Sequence, residues 1–202
     1  MWLRSAYAKP LVHLLCLLPF AGLLWAAFND GLGANPVEKL THETGEWTLR
    51  FLLITLSLTP LRQWTGQAAW IRFRRMLGLY TFFYVCCHFS IWFIADHSLN
   101  LGNMIEDIIE RPYITLGFSA FVLMIPLALT SNQAMIRALG RKWKSLHQLV
   151  YLIILLGVLH FIWLVKADYL EPGIYAIIAA VLLAHRVGPI KRFGAKSAPV
   201  AR

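Results

Sequence analysis

Acidic residues are absent from the places where buried chemistry would use them. All ten Asp and Glu fall in polar connections and none lies inside an apolar run. No intramembrane carboxylate is left to complete a zinc or copper site or to carry a proton relay. Cysteine is equally scarce. Cys16, Cys86 and Cys87 all sit in apolar runs, no C-x-x-C or C-x-x-C-H occurs, and neighbouring Cys86 and Cys87 project from different helix faces. They read as small packing residues, and the usual covalent attachment of haem is excluded. A Gly-rich phosphate loop is missing too, so no nucleotide phosphate has its standard seat. Charged residues make up only 14% of the chain, well below the roughly 25% of soluble domains.

In their place stand 58% hydrophobic residues and a mean hydropathy of +0.60. The fold class this predicts is all-α, a polytopic membrane helix bundle, with residues 1–202 forming one domain. Six spans are expected: Pro10 to Phe28, Trp47 to Leu61, Met76 to Ala95, Tyr113 to Leu129, Leu146 to Val165 and Gly173 to His185. The first starts only at Pro10 and no small-residue cleavage pattern follows it, so it is expected to be retained. Pro10, Pro112 and Pro172 sit where helices begin, whereas Pro19 and Pro126 fall inside spans and predict kinks.

Charge sets the orientation. Fifteen of the 19 basic residues belong to one side: Arg4 and Lys9, Arg62 to Arg75, Arg137 to Lys144, and Arg186 to Arg202. The other connections hold Lys39, Arg111 and Lys166 among nearly all the acids. By the positive-inside rule both termini are cytoplasmic, in a multi-pass membrane protein. The net charge of +9 is accounted for by topology and contact with anionic membrane lipid, and no nucleic-acid partner is called for.

Seven histidines then sort by depth. His42 and His97 belong to outer connections, where solvated or interfacial imidazoles are expected. His13 and His185 lie near cytoplasmic helix ends. His88 and His160 stand apart, because both lie about 18 to 22 Å beyond the cytoplasmic start of outward-running spans. They share a local phrase, His88-Phe89-Ser90-Ile91-Trp92 and His160-Phe161-Ile162-Trp163. Two imidazoles at one level on separate helices can bind one metal from opposite sides. Haem brings four nitrogens of its own and asks for two axial ligands and an apolar wall, which Phe82, Phe83, Phe89, Trp92, Phe161 and Trp163 could supply. His147 lies about 20 Å to the cytoplasmic side of His160, and on an ideal helix the two point roughly 140° apart. They share a face only if the helix is distorted, with Gly157 a candidate position. His147 is either an interfacial histidine or a ligand of a second, inner haem, with His13 or His185 as partner.

Longer phrases carry a resemblance. Gly33-Ala34-Asn35-Pro36-Val37-Glu38, Thr41-His42-Glu43-Thr44-Gly45, Thr59-Pro60-Leu61-Arg62, Arg74-Arg75-Met76-Leu77-Gly78, Arg111 to Gly117 and Leu146 to Leu152 are similar, in this order, to the MsrQ (YedZ) family. The likeness runs from about Leu11 to Arg186. The wider group is the ferric reductase-like transmembrane domain, in which two helices each carry two histidines holding stacked haems. The resemblance implies a protein of the bacterial inner membrane with haem b, one or two, and FMN as cofactors. It implies the quinone pool or a cytosolic flavin reductase as electron donor. It implies the periplasmic molybdenum enzyme MsrP as acceptor, for repair of methionine sulfoxide under oxidative stress. On this reading His88 and His160 are axial ligands and His147 a further candidate. At the inner position of the third span this chain has Arg74 and Arg75 where the wider group has histidine. Only 16 residues follow Arg186, so no flavin and nicotinamide domain is expected and electrons must arrive from another molecule. FMN phosphate has alternatives in Arg72, Arg74, Arg75 and the Arg141 to Lys144 cluster. The expected function is an electron-transfer subunit without bond-making chemistry of its own. The alternative is a small transporter or proton channel built on a histidine relay.

Overall fold

The computed structural model describes residue 3, residues 5–165 and residues 167–187. Of the charges counted above, Arg4, Lys166, Lys191, Arg192, Lys196 and Arg202 lie outside the described residues. Nine α-helices follow one another with no strand among the described residues: α1 Ala8–Phe28, α2 Pro36–Thr65, α3 Arg74–Ile91, α4 Leu101–Glu110, α5 Pro112–Leu129, α6 Gln133–Leu139, α7 Arg141–His147, α8 Val150–Leu164 and α9 Leu170–Val187. A short 3₁₀ stretch, Ala68–Phe73, leads into α3, and a π-helical turn, Trp92–Asp96, continues it.

Four helical stretches are long and apolar enough to cross a membrane: Ala8–Phe28, Ala68–Asp96, Pro112–Leu129 and Arg141–Leu164. The chain is therefore a membrane protein with several apolar helices. The expected second span, Trp47 to Leu61, forms part of the 30-residue α2, whose first turns are polar. The expected sixth lies within α9.

Local chemistry accounts for the helix ends. Asn35 caps α2 by accepting the Glu38 N–H, with Pro36 behind it in the first turn, and Pro112 opens α5 in the same manner. A proline at a helix start costs nothing, because its N–H would be unpaired there anyway. Inside a helix it frees the carbonyl four residues earlier, which lipid cannot satisfy. Pro60 lies within α2 and frees Leu56, and Arg186 of α9 donates from Nη2 to that Leu56 carbonyl at 3.0 Å. The same guanidinium reaches Tyr151 of α8 and Thr59 of α2, tying three helices at one end. Beside Pro19 in α1, the fully buried Tyr84 inserts its hydroxyl into the helical ladder. It accepts the Phe20 N–H at 3.0 Å and donates to the Cys16 carbonyl at 2.9 Å. Side chains entering the ladder are among the few causes of helix bending.

Two apolar cores result. One joins α2, α5, α8 and α9 around Leu53, Leu56, Ile153 and Ile154, and the other joins α1, α2 and α3 around Phe51, Leu77 and Tyr84. Within the bundle α3 lies along α2 and α8 lies along α5. Arg50, a charge inside the expected second span, turns to Tyr175, Glu46 and Glu171 and stacks over the Trp47 ring. Its charge is thereby met within the protein, as a cation at this depth requires. The expected span Leu146 to Val165 is interrupted just after His147, where Gln148 and Leu149 separate α7 from α8. The distortion therefore falls there. Gly157 lies within unbroken helix, where a Cβ would come within 3.1 Å of Leu49.

Candidate functional site

Between the α2/α3 pair and the α5/α8 pair lies a cavity of about 730 Å³, lined by His88, His160 and residues of α2, α3, α4, α5 and α8. Volumes of this order are typical of cofactor sites. The structure brings His88 and His160 together, with ring centroids 6.3 Å apart and planes at 79°. Two imidazoles facing one metal ion through bonds of about 2 Å have ring centroids roughly 6 Å apart.

Each imidazole is fixed the same way. His88 Nδ1–H donates to the Thr41 carbonyl of α2 at 2.9 Å, and His160 Nδ1–H donates to the Tyr113 carbonyl of α5 at 2.7 Å. This pairing places the proton on Nδ1 and leaves Nε2 with its lone pair, the tautomer a metal ligand needs. Four residues after each carbonyl comes a glycine under the ring. A Cβ at Gly45 would sit 3.1 Å from His88 Cε1 and Nδ1, and one at Gly117 would sit 2.9 Å from the same atoms of His160. The two arrangements share a sequence spacing of 47 residues between carbonyl and histidine. Glycine, carbonyl and ring thus form two matching cradles, one per helix pair.

The wall is aromatic, although its members differ from those expected. Phe89, Trp92 and Phe161 line the cavity, together with Tyr113, Phe118 and Phe121. Phe82 stacks on Phe121, Phe83 packs against Phe20 of α1, and Trp163 is exposed on the outside of the bundle. Among the described residues no group of three His, Cys, Asp or Glu could hold a metal ion. Two imidazoles in an aromatic chamber suit a group that brings its own equatorial ligands.

The cavity lining also carries acids, Glu38, Glu46, Asp96, Glu106, Asp107 and Glu110, with Arg111 as the one basic side chain apart from histidine among the residues that line it. Burial pushes the Glu46 carboxyl up, Glu171 adds to this, and Arg50 pulls against it. At the start of α2, Lys39 is held above its ordinary value by its hydrogen bond to Glu43 and by that charge. Helix α4 turns Asn103, Glu106, Asp107 and Glu110 to the cavity and leaves Leu101, Ile105 and Ile109 exposed. Sequence reasoning missed α4, though its alternation of acids and isoleucines carried the helical period.

The remaining histidines are distributed otherwise than expected. His97 is buried, meets the Trp92 ring edge-on at 4.5 Å and lines the cavity instead of facing solvent. Its Nε2 lies 3.3 Å from Asp107 Oδ2, off the line a hydrogen bond requires. His42 also lines the cavity and belongs to helix α2, not to a loop. His147, outside the cavity, donates from Nδ1 to the Trp143 carbonyl at 3.2 Å and stacks on the Trp143 ring at 4.0 Å. Its Nε2 is buried with no hydrogen-bond partner among the described residues. His13 bonds Tyr80 and His185 packs edge-on against Trp64.

A helical membrane bundle with paired histidines over an aromatic chamber is the form of a haem-binding membrane protein. Residues 44–158 match the family described as ferric reductase like transmembrane component. A protein-methionine-sulfoxide reductase heme-binding subunit MsrQ from Xanthomonas euvesicatoria pv. vesicatoria is 54% identical over 186 residues, covering 89% of this chain and 85% of its own. The MsrQ of Polaromonas naphthalenivorans is 51% identical over 189 residues, covering 92% and 86%. No solved structure matches. The chain belongs to the ferric reductase-like transmembrane family and, within it, to the MsrQ heme-binding subunits.

The cradles generate a prediction. Gly117→Ala should lower the affinity of the purified chain for added haemin at least tenfold, and Gly45→Ala should lower it less, because its Cβ has slightly more room. Absorbance titration decides this. Unchanged affinity in both would show that the rings are not held against these helices.

Proposed function

We propose that the chain is a haem b electron-transfer subunit of the inner membrane that passes electrons to the periplasmic catalytic subunit MsrP for repair of methionine sulfoxide. The observation that carries the reading is the pair His88 and His160, ring centroids 6.3 Å apart, with both Nδ1 atoms bonded to backbone carbonyls. When bound there, haem supplies one-electron carriage between the two sides of the chamber. His88 and His160 would hold it, Phe89, Phe118 and Phe121 would exclude water, and the two carbonyls orient the imidazoles by fixing the proton on Nδ1. The protein's means of setting the potential are these axial ligands, their hydrogen bonds and the burial of the chamber. FMN as a second carrier, and quinol or a flavin reductase as donor, come from the family likeness. His147, whose Nε2 has no partner among the described residues, is the residue of this chain best suited to a second haem on the cytoplasmic side.

The same reading takes six crossings with both termini cytoplasmic. Its support is the segregation of basic residues to one side and acids to the other. Reporter fusions after Lys144 should behave as cytoplasmic and one after Asp107 as periplasmic. A periplasmic signal after Lys144 would reverse the orientation and place the chamber on the wrong side for MsrP.

His88→Ala and His160→Ala should each lose most b-type absorbance or turn it five-coordinate. His147→Ala should spare the outer site. In the same preparation, the reduced wild-type chain should be reoxidised on adding MsrP and methionine sulfoxide, and not by methionine sulfoxide alone. An unchanged low-spin spectrum in both outer variants would refute the ligand assignment, and turnover of methionine sulfoxide by the chain alone would refute the conduit.

A further inference from the structure

A second cavity, of about 360 Å³, lies between α1 and the start of α3, away from the paired histidines. Its lining is divided by chemistry. Lys9, Arg72, Arg75 and His13 contribute the polar part, and Met76, Leu79, Tyr80 and Phe83 the apolar part. No Asp or Glu is among the lining residues. Arg72 is already engaged, donating to the Leu3 carbonyl at 2.7 Å and the Ser5 carbonyl at 3.5 Å. His13 and Tyr80 bond each other at 3.0 Å across the two helices. Lys9 and Arg75 make no ion pair among the described residues. Two unpaired cations therefore stand at the rim of a groove whose floor is apolar and aromatic.

Positive-inside segregation explains why basic residues are on this side, but not why they line a cavity. The basic residues considered for FMN phosphate are separated by the fold. Arg72 and Arg75 reach this groove, whereas Arg74 is partly buried and, like Arg141 to Lys144, is not part of its lining. Guanidinium and ammonium groups together favour phosphate, the first through its planar fork and the second as a point charge. The floor suits what a phosphate ester carries behind its headgroup. The groove also falls in the size range of small-ligand sites.

We infer that this groove is a binding site for a phosphate ester with an apolar or aromatic body, the phosphate at Lys9 and Arg75 and the body on Leu79, Tyr80 and Phe83. Two sources share that chemistry, an anionic phospholipid of the surrounding leaflet and flavin mononucleotide. The site stands independently of the haem reading, and only the flavin as occupant rests on it.

The test uses the full haem-loaded chain in phosphatidylcholine nanodiscs. FMN binding is followed by fluorescence quenching with riboflavin as the phosphate-free control, and phosphatidylglycerol retention by native mass spectrometry. Lys9→Gln with Arg75→Gln should weaken one of these phosphate esters at least tenfold. Lys142→Gln with Lys144→Gln, equally basic and elsewhere on the same face, should change it less than twofold. Leu79→Trp, which fills the floor without touching charge, should reproduce the loss. Loss confined to FMN identifies a flavin site and loss confined to phosphatidylglycerol a lipid site. Equal effects of the two double variants would reduce the groove to a diffuse positive surface and overturn the proposal. So would FMN binding no tighter than riboflavin together with no preference for phosphatidylglycerol. Haem absorbance recorded on every sample separates these results from failure of the outer site itself.

Discussion

The hydrogen bond from each chamber imidazole to a backbone carbonyl is the constraint around which the cavity end of this molecule is built. An N–H that loses water and gains no partner costs on the order of 1–3 kcal/mol, and an apolar bundle offers few acceptors because helical carbonyls are already engaged. His88 and His160 reach Thr41 and Tyr113 only because glycine stands one turn further along each partner helix. Any larger residue at Gly45 or Gly117 would hold the ring away from its carbonyl. The close pairing of α2 with α3 and of α5 with α8 thus follows from the same requirement that leaves both Nε2 atoms free for a ligand. Chamber, tautomer and helix pairing are aspects of one geometric solution.

The apolar setting imposes a similar discipline elsewhere. Pro60 frees a carbonyl that Arg186 satisfies, and Tyr84 bridges the ladder of α1 next to Pro19. In water these groups would turn to solvent, but in lipid each needs an internal partner. The helices that cross least apolar ground, α2 and α9, are the ones held by these polar ties and by Arg50, Glu46 and Tyr175. Polar clamps and apolar packing therefore divide the bundle between them.

Much of this was legible in the sequence because hydropathy and depth are one-dimensional properties. The length of the apolar runs and the level of His88 and His160 could be counted, and the repeated His-Phe phrase marked the pair. Which aromatic side chains faced inward was not legible, because rotation of Phe83 and Trp163 away from the chamber depends on tertiary packing. His97 does lie in a connection, but nothing in its neighbours revealed its burial beside the cavity that α4 helps to line. The break after His147 carries no glycine or proline to announce it. A signal for the cradles was present but unread: Thr41 with Gly45 and Tyr113 with Gly117 each precede their histidine by the same spacing.

The proposed function requires one iron held between two neutral imidazoles, each protonated on Nδ1 and ligating through Nε2. Pulsed electron paramagnetic resonance on the oxidised, haem-loaded chain, with histidine labelled by ¹⁵N, reads the axial nitrogens directly. The account requires a low-spin centre coupled to two histidine nitrogens, with exchangeable protons on the remote nitrogen of both rings. A single axial histidine nitrogen, or a remote nitrogen without its proton, would contradict it.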